Sequence, residues 1–291
     1  MLHRCLTLVL LALSMPAWAA IQVRDDAGTL VQLVAPAQRI VSLAPHNTEL
    51  LFAAGAGERI VGAVSYSDYP PAANDIPRIG GYKSVDLEAI LALQPDLVVG
   101  WVSGNNSANL DKLRDLGLPL YLSEPRRLGD VADNIRRLGK LAGTATVADR
   151  AAAAFQTRVA ELRRRHADQP PLSVFYETWN QPLMTINGDH LISQVIALCG
   201  GRNVFADLKT LSTHINTEAV LKRNPQVIVA SGMGEERPEW LDDWRQWPQL
   251  SAVKHERLFF IPPELLQRAT PRVLDGAEQL CRFLQQARQQ R

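Results

Sequence analysis

The sequence predicts an α/β protein built as two similar lobes joined by one long helix. Two internal patterns and one uninterrupted stretch predict it. Apolar strands alternate with helices at a spacing that suits parallel, crossover-connected strands. The segment Leu87-Glu88-Ala89-Ile90-Leu91-Ala92-Leu93-Gln94-Pro95-Asp96-Leu97-Val98-Val99 is echoed by Thr217-Glu218-Ala219-Val220-Leu221-Lys222-Arg223-Asn224-Pro225-Gln226-Val227-Ile228-Val229. Each copy is a short helix stopped by proline, which pushes its preceding residue out of the α region, followed by an apolar strand. Residues 145–166 between the copies contain no glycine or proline and are rich in Ala, Arg, Glu and Leu, the strong helix formers.

Taken in order, residues 21–33 read as a hairpin around the turn Asp25-Asp26-Ala27-Gly28. Arg39-Ile40-Val41-Ser42-Leu43 is a strand stopped by Pro45, after which Asn47 or Thr48 is expected to cap a helix through residues 49–54 that ends at Gly55 and Gly57. Residues 60–64 form the next strand. Residues 130–141 make an amphipathic helix, Gly143-Thr144 interrupts it, and 145–166 continue as a helix about 33 Å long, enough to cross a domain and act as a stiff hinge. The second half repeats the scheme: a strand at 172–178, a helix at 191–199 closed by Gly200-Gly201, a strand at 258–261 and a last helix at 271–285. Two facing lobes leave a cleft, a frequent ligand site.

The first residues have the parts of a secretory signal: His3 and Arg4, the apolar run 6–13, and Ala17-Trp18-Ala19, with cleavage expected after Ala19. Cys5 lies too early to be a lipoprotein cysteine. Two cysteines then remain, Cys199 and Cys281. In an oxidising compartment they most simply form one disulfide, worth roughly 4–5 kcal/mol in the chain-entropy model, and the alternative is two separate buried thiols. With 31 Lys+Arg against 30 Asp+Glu, nothing favours nucleic acid as a partner. No apolar stretch beyond the N-terminus is long enough to span a bilayer.

No nucleophile elbow, phosphate loop, zinc-protease helix or paired-cysteine motif is present, so an enzyme is not expected. Aromatics instead follow strands: Tyr66 and Tyr69, Tyr82, Trp101 and Trp179. Strand ends of α/β sheets are where ligands bind, and rings with a polar tip suit a large ligand that is partly apolar. Tyr69, beside two prolines, is assigned to packing. His46, His190 and His214 form no close cluster and no metal site is expected; His46, after a strand end, is a candidate for ligand contact. Glu88 and Glu218 occupy equivalent places in the echo, either as first-turn charges stabilised by a helix dipole or as one exposed acid per lobe for a two-fold partner. Trp240, Trp244 and Trp247 fall on one helical face and are assigned to packing.

These residues carry a resemblance. Arg39-Ile40-Val41-Ser42-Leu43-Ala44-Pro45 with Asn47-Thr48-Glu49-Leu50, Ser65-Tyr66-Ser67-Asp68-Tyr69-Pro70-Pro71, Leu87-Glu88 with Pro95-Asp96-Leu97-Val98, Cys199-Gly200-Gly201, and Arg268-Ala269-Thr270-Pro271-Arg272 resemble the periplasmic vitamin B12-binding proteins, substrate-binding components of cobalamin ABC importers. These sit within a wider iron-siderophore, heme and B12 binding group. The likeness spans nearly the whole mature chain.

The resemblance implies two Rossmann-like lobes on one backbone helix, the class III periplasmic-binding-protein fold, with a corrinoid in the cleft. It implies a signal peptide at 1–19, an N-terminal lobe at 20–126, connecting helices at 127–170 and a C-terminal lobe at 171–291. Tyr66, Tyr82 and Trp101, with the loop Glu264-Leu265-Leu266-Gln267-Arg268, are the ligand contacts it implies, and His46 and Trp179, placed after strands, are added to them from their positions. Glu88 and Glu218 are the acids expected to dock on arginines of the permease, and Cys199 with Cys281 is the expected disulfide. The chain is then a periplasmic monomer that binds cobalamin and serves a permease dimer with its ATPase subunits; it uses no cofactor, contacts no nucleic acid and does not insert in the membrane. Ser212 stands where the family has tryptophan, Glu264 replaces an Asp, Leu265 and Leu266 replace aromatics, and Thr178 stands where an aromatic is expected. The second-lobe half of the pocket is altered, so another corrinoid, heme or a ferric siderophore is the alternative ligand, and a secreted hydrolase is the reading from another class.

Overall fold

The computed structural model describes residues 20–232 and 236–289. The signal segment 1–19 lies outside the described residues. The chain opens with an antiparallel hairpin of β1 (Ile21–Arg24) and β2 (Leu30–Leu33). The first lobe follows as β3 (Ile40–Ser42), α1 (Pro45–Ala53), β4 (Ile60–Ala63), β5 (Gly80–Gly81), β6 (Ser84–Val85), α2 (Leu87–Ala92), β7 (Leu97–Trp101), α3 (Ser107–Asp115) and β8 (Leu120–Ser123). Two helices connect the lobes, α4 (Leu128–Ala142) and α5 (Ala145–His166). The second lobe runs β9 (Leu172–Glu177), β10 (Trp179–Asn180), β11 (Leu183–Ile186), α6 (Leu191–Leu198), β12 (Gly201–Asn203), β13 (Ser212–His214), α7 (Thr217–Arg223), β14 (Val227–Ala230), α8 (Ser251–Lys254), β15 (Leu258–Phe260), α9 (Pro263–Leu266) and α10 (Val273–Gln289).

The two central sheets have one topology. The first is ordered β4-β3-β7-β8 and the second β12-β9-β14-β15, every pair parallel. In each, the first strand lies between the second and the third, so connections leave in opposite directions from neighbouring strand ends. Such a reversal is where a crevice is expected, at the carboxyl ends of β3 and β7 and of β9 and β14. The near-continuous apolar runs of β7 and β14 fit strands covered on both faces, and both are buried apart from half-buried Trp101.

The sequence echo is structural: α2–β7 and α7–β14 are the same unit. Their caps are Asp86, accepting from Ala89 N at 2.9 Å, and Asn216, accepting from Ala219 N at 2.9 Å. Glu88 and Glu218 therefore sit one position inside each helix, both exposed.

One expected cap is corrected. Helix α1 begins at Pro45 with Ala44 as N-cap and no side-chain cap. Proline suits this first position, where its missing N–H costs nothing and its fixed φ is already helical. Asn47 and Thr48 lie inside the helix and bond outward instead. Asn47 Nδ2 donates to Gly100 O at 2.9 Å, and Thr48 Oγ1 donates to Ser42 Oγ at 2.8 Å, tying α1 to β7 and β3.

The break at 143–144 is as expected. Gly143 closes α4 with φ 68°, a left-handed position that glycine adopts without penalty. Thr144 Oγ1 donates to Ala54 O at 2.6 Å and seats the junction on the end of α1. Helix α5 then crosses to the second lobe, where Arg158 Nη2 meets Asp275 at 2.8 Å and Glu278 at 3.0 Å on α10. A single apolar core runs from Ile40, Val131 and Ala148 through Phe155 to Val174 and Leu284, so the lobes share one buried spine. Cys199, at the end of α6, is disulfide-bonded to Cys281 of α10 across 82 residues of chain. Among the described residues no helix is long and apolar enough to cross a membrane.

Candidate functional site

Between the lobes lies a cavity of about 450 Å³. The first lobe lines it with Pro45 and His46 at the start of α1, Tyr66, Asp68 and Tyr69 from the loop after β4, and Trp101 at the end of β7. The second lobe contributes Pro263, Glu264, Gln267, Arg268 and Arg272, all from the segment after β15.

Trp101 and His46 stand at the two strand ends where the topology reverses. Their rings meet edge to face at 5.1 Å, and the Tyr82 ring lies 5.8 Å from that of Trp101. Asn105 organises this cluster. Its Oδ1 accepts from Trp101 N at 2.7 Å, and its Nδ2 donates to Leu43 O at 2.8 Å and Tyr82 O at 2.7 Å, joining three loops with one buried amide. The Trp101 indole lies directly on Gly104, and a Cβ there would fall inside the ring. His46 is buried beside Ser123 Oγ, 3.4 Å from Nε2. Burial, and then the charge of Arg268, lower its pKa to about 3, so the imidazole is neutral. Tyr66 is 75% exposed on the cavity rim, with its backbone in the left-handed region at φ 65°.

The two arginines of the cleft loop are already engaged. Arg268 Nη1 donates to Glu49 at 3.0 Å and Asp68 at 2.6 Å, and its Nη2 donates to Tyr66 O at 3.1 Å. Arg272 grips Glu49 with Nε at 3.0 Å and Nη2 at 2.8 Å, and its guanidinium lies 4.0 Å from the Tyr69 ring centroid. Glu49 belongs to α1 of the first lobe and both arginines to the second. Burial alone would raise the Asp68 carboxyl, but the hydrogen bond and charge of Arg268 outweigh it and hold it below the usual range. An anionic ligand needing several convergent arginines would have to displace Glu49 and Asp68.

The candidate residues are placed as follows. His46, Tyr66, Trp101, Glu264, Gln267 and Arg268 line the main cavity, and Tyr82, its ring 5.8 Å from that of Trp101, does not. Leu266 is buried in the shared core and lines a second cavity of about 90 Å³ that has His46, Trp101 and Gln267 in common with the first. Leu265 is half-buried against the same core. Trp179 is in β10, its Nε1 donating to Gln181 O at 2.7 Å, and lines neither of these cavities. His190 caps α6, its Nδ1 accepting from Ile192 N at 3.2 Å, while His214 is exposed in β13. Among the described residues no group of three or more His, Cys, Asp or Glu is placed to hold a metal. The tryptophan face packs: Trp244 is buried against Phe175 and Trp247, with Trp240 on the same core, and its Nε1 donates to Glu177 at 2.7 Å.

Sequence reasoning missed Glu49, Asp68 and Asn105 as parts of the site. Two arginines four residues apart, Arg268 and Arg272, were the available signal that buried acids lay opposite.

The comparisons agree on one lineage. A family model described as periplasmic binding protein matches residues 40–265. The vitamin B12-binding protein of Vibrio cholerae serotype O1 is 39% identical over 256 residues, covering 88% of this chain and 92% of that protein. That of Yersinia pestis is 37% identical over 245 residues, 84% of this chain and 85% of that one. The crystal structure of the periplasmic vitamin B12 binding protein of Vibrio cholerae superposes with a TM-score of 0.80 at 38% identity, over 87% of this chain and 98% of that one. A periplasmic heme-binding protein from Roseiflexus superposes with a TM-score of 0.77 at 26% identity, over 86% of this chain and 98% of that one. The two-lobe α/β architecture, the site at the facing strand ends and these matches agree: the chain belongs to the periplasmic binding protein family.

Proposed function

We propose that this protein captures cobalamin in the cleft and delivers it to an ABC importer. The observation that carries the reading is the cleft itself: the aromatic side chains of Trp101, Tyr66 and Tyr69 share it with arginines already neutralised by Glu49 and Asp68. Such a surface suits a large, flat, mostly uncharged ring system with amide arms. The names of the vitamin B12-binding relatives support the same ligand. Heme is the second reading, favoured by the likeness to a heme-binding protein. His46, Tyr66, Trp101, Glu264, Leu266, Gln267 and Arg268, which line the two cavities, are the proposed contacts; Tyr82, Trp179 and Leu265 line neither and join them only where lobe movement brings them to the ligand.

The remaining parts follow from that role. Residues 1–19 are a signal peptide that sends the chain to the periplasm, where it acts as a monomer. Residues 20–126 and 171–291 are its lobes, and 127–170 the connection. Glu88 and Glu218, exposed at equivalent first turns, are proposed to dock on a permease dimer served by ATPase subunits. No bond is made or broken by this chain. Quenching of tryptophan fluorescence by cyanocobalamin tests the reading. Saturable quenching that Trp101→Ala weakens by an order of magnitude supports it, and no saturable quenching of the wild type contradicts it.

A further inference from the structure

The second inter-lobe cavity, about 90 Å³, has a chemistry the ligand's ring does not need. It lies beside the main cavity, with His46, Trp101 and Gln267 common to both. Its polar lining is mixed and holds one cation, Arg126. His190, from the second lobe, accepts Ile192 N through Nδ1, which fixes the neutral tautomer with hydrogen on Nε2. Burial lowers the pKa of His190 to about 4, and His46 is neutral as well. Glu124 supplies carboxylate oxygens, steadied by Ser103 N at 2.9 Å and Ser103 Oγ at 3.0 Å. Arg126 stands 3.7 Å from that carboxylate with its side chain 60% exposed, so it screens the Glu124 charge only weakly. Leu266 closes an apolar side.

A neutral N–H donor and a carboxylate acceptor in one cavity lining match a group that is itself acceptor and donor at once. A primary carboxamide is such a group, with one C=O and one NH₂. A carboxylate is acceptor-only and would set a second negative charge against Glu124, with Arg126 the one cation in the lining to serve both. The volume admits one short arm and no ring. We propose that this cavity is a carboxamide subsite, which takes one peripheral amide arm of the corrin and rejects the same arm as a carboxylate. The inference rests on the corrinoid reading above and names the feature by which the cleft tells a corrinoid from a ligand with carboxylate arms, such as heme.

Cobalamin can be converted to separable monocarboxylic acids in which a single propionamide arm is hydrolysed. Each isomer, alongside cyanocobalamin, is titrated calorimetrically into the mature protein and its Glu124→Gln and His190→Asn variants. Asn keeps the helix-capping side chain of position 190 and withdraws the ring N–H. The expected result is that one isomer binds on the order of a hundredfold more weakly than cyanocobalamin while the others bind as the parent does. Glu124→Gln should narrow that gap about tenfold, and His190→Asn should weaken cyanocobalamin itself about tenfold. Isomers that all bind like cyanocobalamin overturn the subsite and leave the corrinoid reading standing. A discriminated isomer whose deficit is unchanged in Glu124→Gln places the selection elsewhere and also overturns it. No binding of cyanocobalamin overturns the corrinoid reading, and this inference with it.

Discussion

Arg272 Nη2 lies 2.8 Å from Glu49 Oε1, joining the second lobe to a carboxylate buried in the first. Arg268 shares that carboxylate and reaches on to Asp68. An ion cluster this deep draws little net stability from its formation, because desolvation offsets the attraction. Its removal from one side is costly, since the remaining charges are left buried. The cluster therefore fixes how the lobes meet more than how well each folds.

Glu49→Gln leaves two guanidiniums facing a neutral amide. The expected loss is about 2–4 kcal/mol of stability, read as a lowered Tm, together with a larger ligand-free radius of gyration in small-angle scattering. An unchanged radius with a lowered Tm would mean that Glu49 serves the first lobe alone.

Gly104→Ala pushes a methyl group into the Trp101 indole. The ring must leave its place beside His46, while Asn105 still holds the loop. Affinity for the ligand should fall about tenfold, or about 1.4 kcal/mol, with Tm nearly unchanged. Equal affinity would remove Trp101 from the set of contacts.

Stability should peak near neutral pH, for two opposed reasons. His46 and His190 have folded pKa values near 3 and 4, below the ordinary 6.5. The unfolded chain takes up these protons first, so stability falls as pH drops below 6.5, by at most about 1.4 kcal/mol per unit for each histidine. Glu177 behaves in the other sense. Burial raises its pKa from 4.5 to about 8 against the opposing hydrogen bond from Trp244, so the folded carboxyl stays protonated where the unfolded one has ionised. Stability therefore falls as pH rises from 4.5 to about 8 through this group. Denaturant titrations across pH should show Glu177→Gln flattening the decline above pH 6.5 and steepening the one between pH 6.5 and 4.5, where Glu177 opposes the histidines. A decline from pH 6.5 to 8 that is identical in the variant would contradict the assignment.

Charge reversal at both Glu88 and Glu218 should abolish uptake of the ligand by cells while the purified protein binds it as before. Uptake that persists would assign both acids to the helix termini alone.

The architecture was legible because it is written in local patterns that need no distant partner. Proline after an apolar helix marks α2–β7 and again α7–β14, and the unbroken run 145–166 can only be helix. Trp101 and His46 were legible for the same reason: Trp101 ends an apolar strand and His46 comes shortly after one. Asn47 was misread as a cap because Pro45 was taken only as a strand stop, when proline at a first helical position also starts one. Glu49 was hidden by distance. Within α1 it is one acid in a helix, and only the fold shows that residues more than two hundred positions away bury it. The 90 Å³ cavity is a property of the assembled lobes and leaves no trace in either segment.

The most direct test is calorimetric titration of the mature protein with cyanocobalamin, with cobinamide and hemin as parallel titrants. Submicromolar one-to-one binding of cyanocobalamin, much tighter than hemin, is the expected result. Silence with cyanocobalamin and tight binding of hemin would contradict the corrinoid cleft while leaving the fold and its place in the binding-protein family untouched.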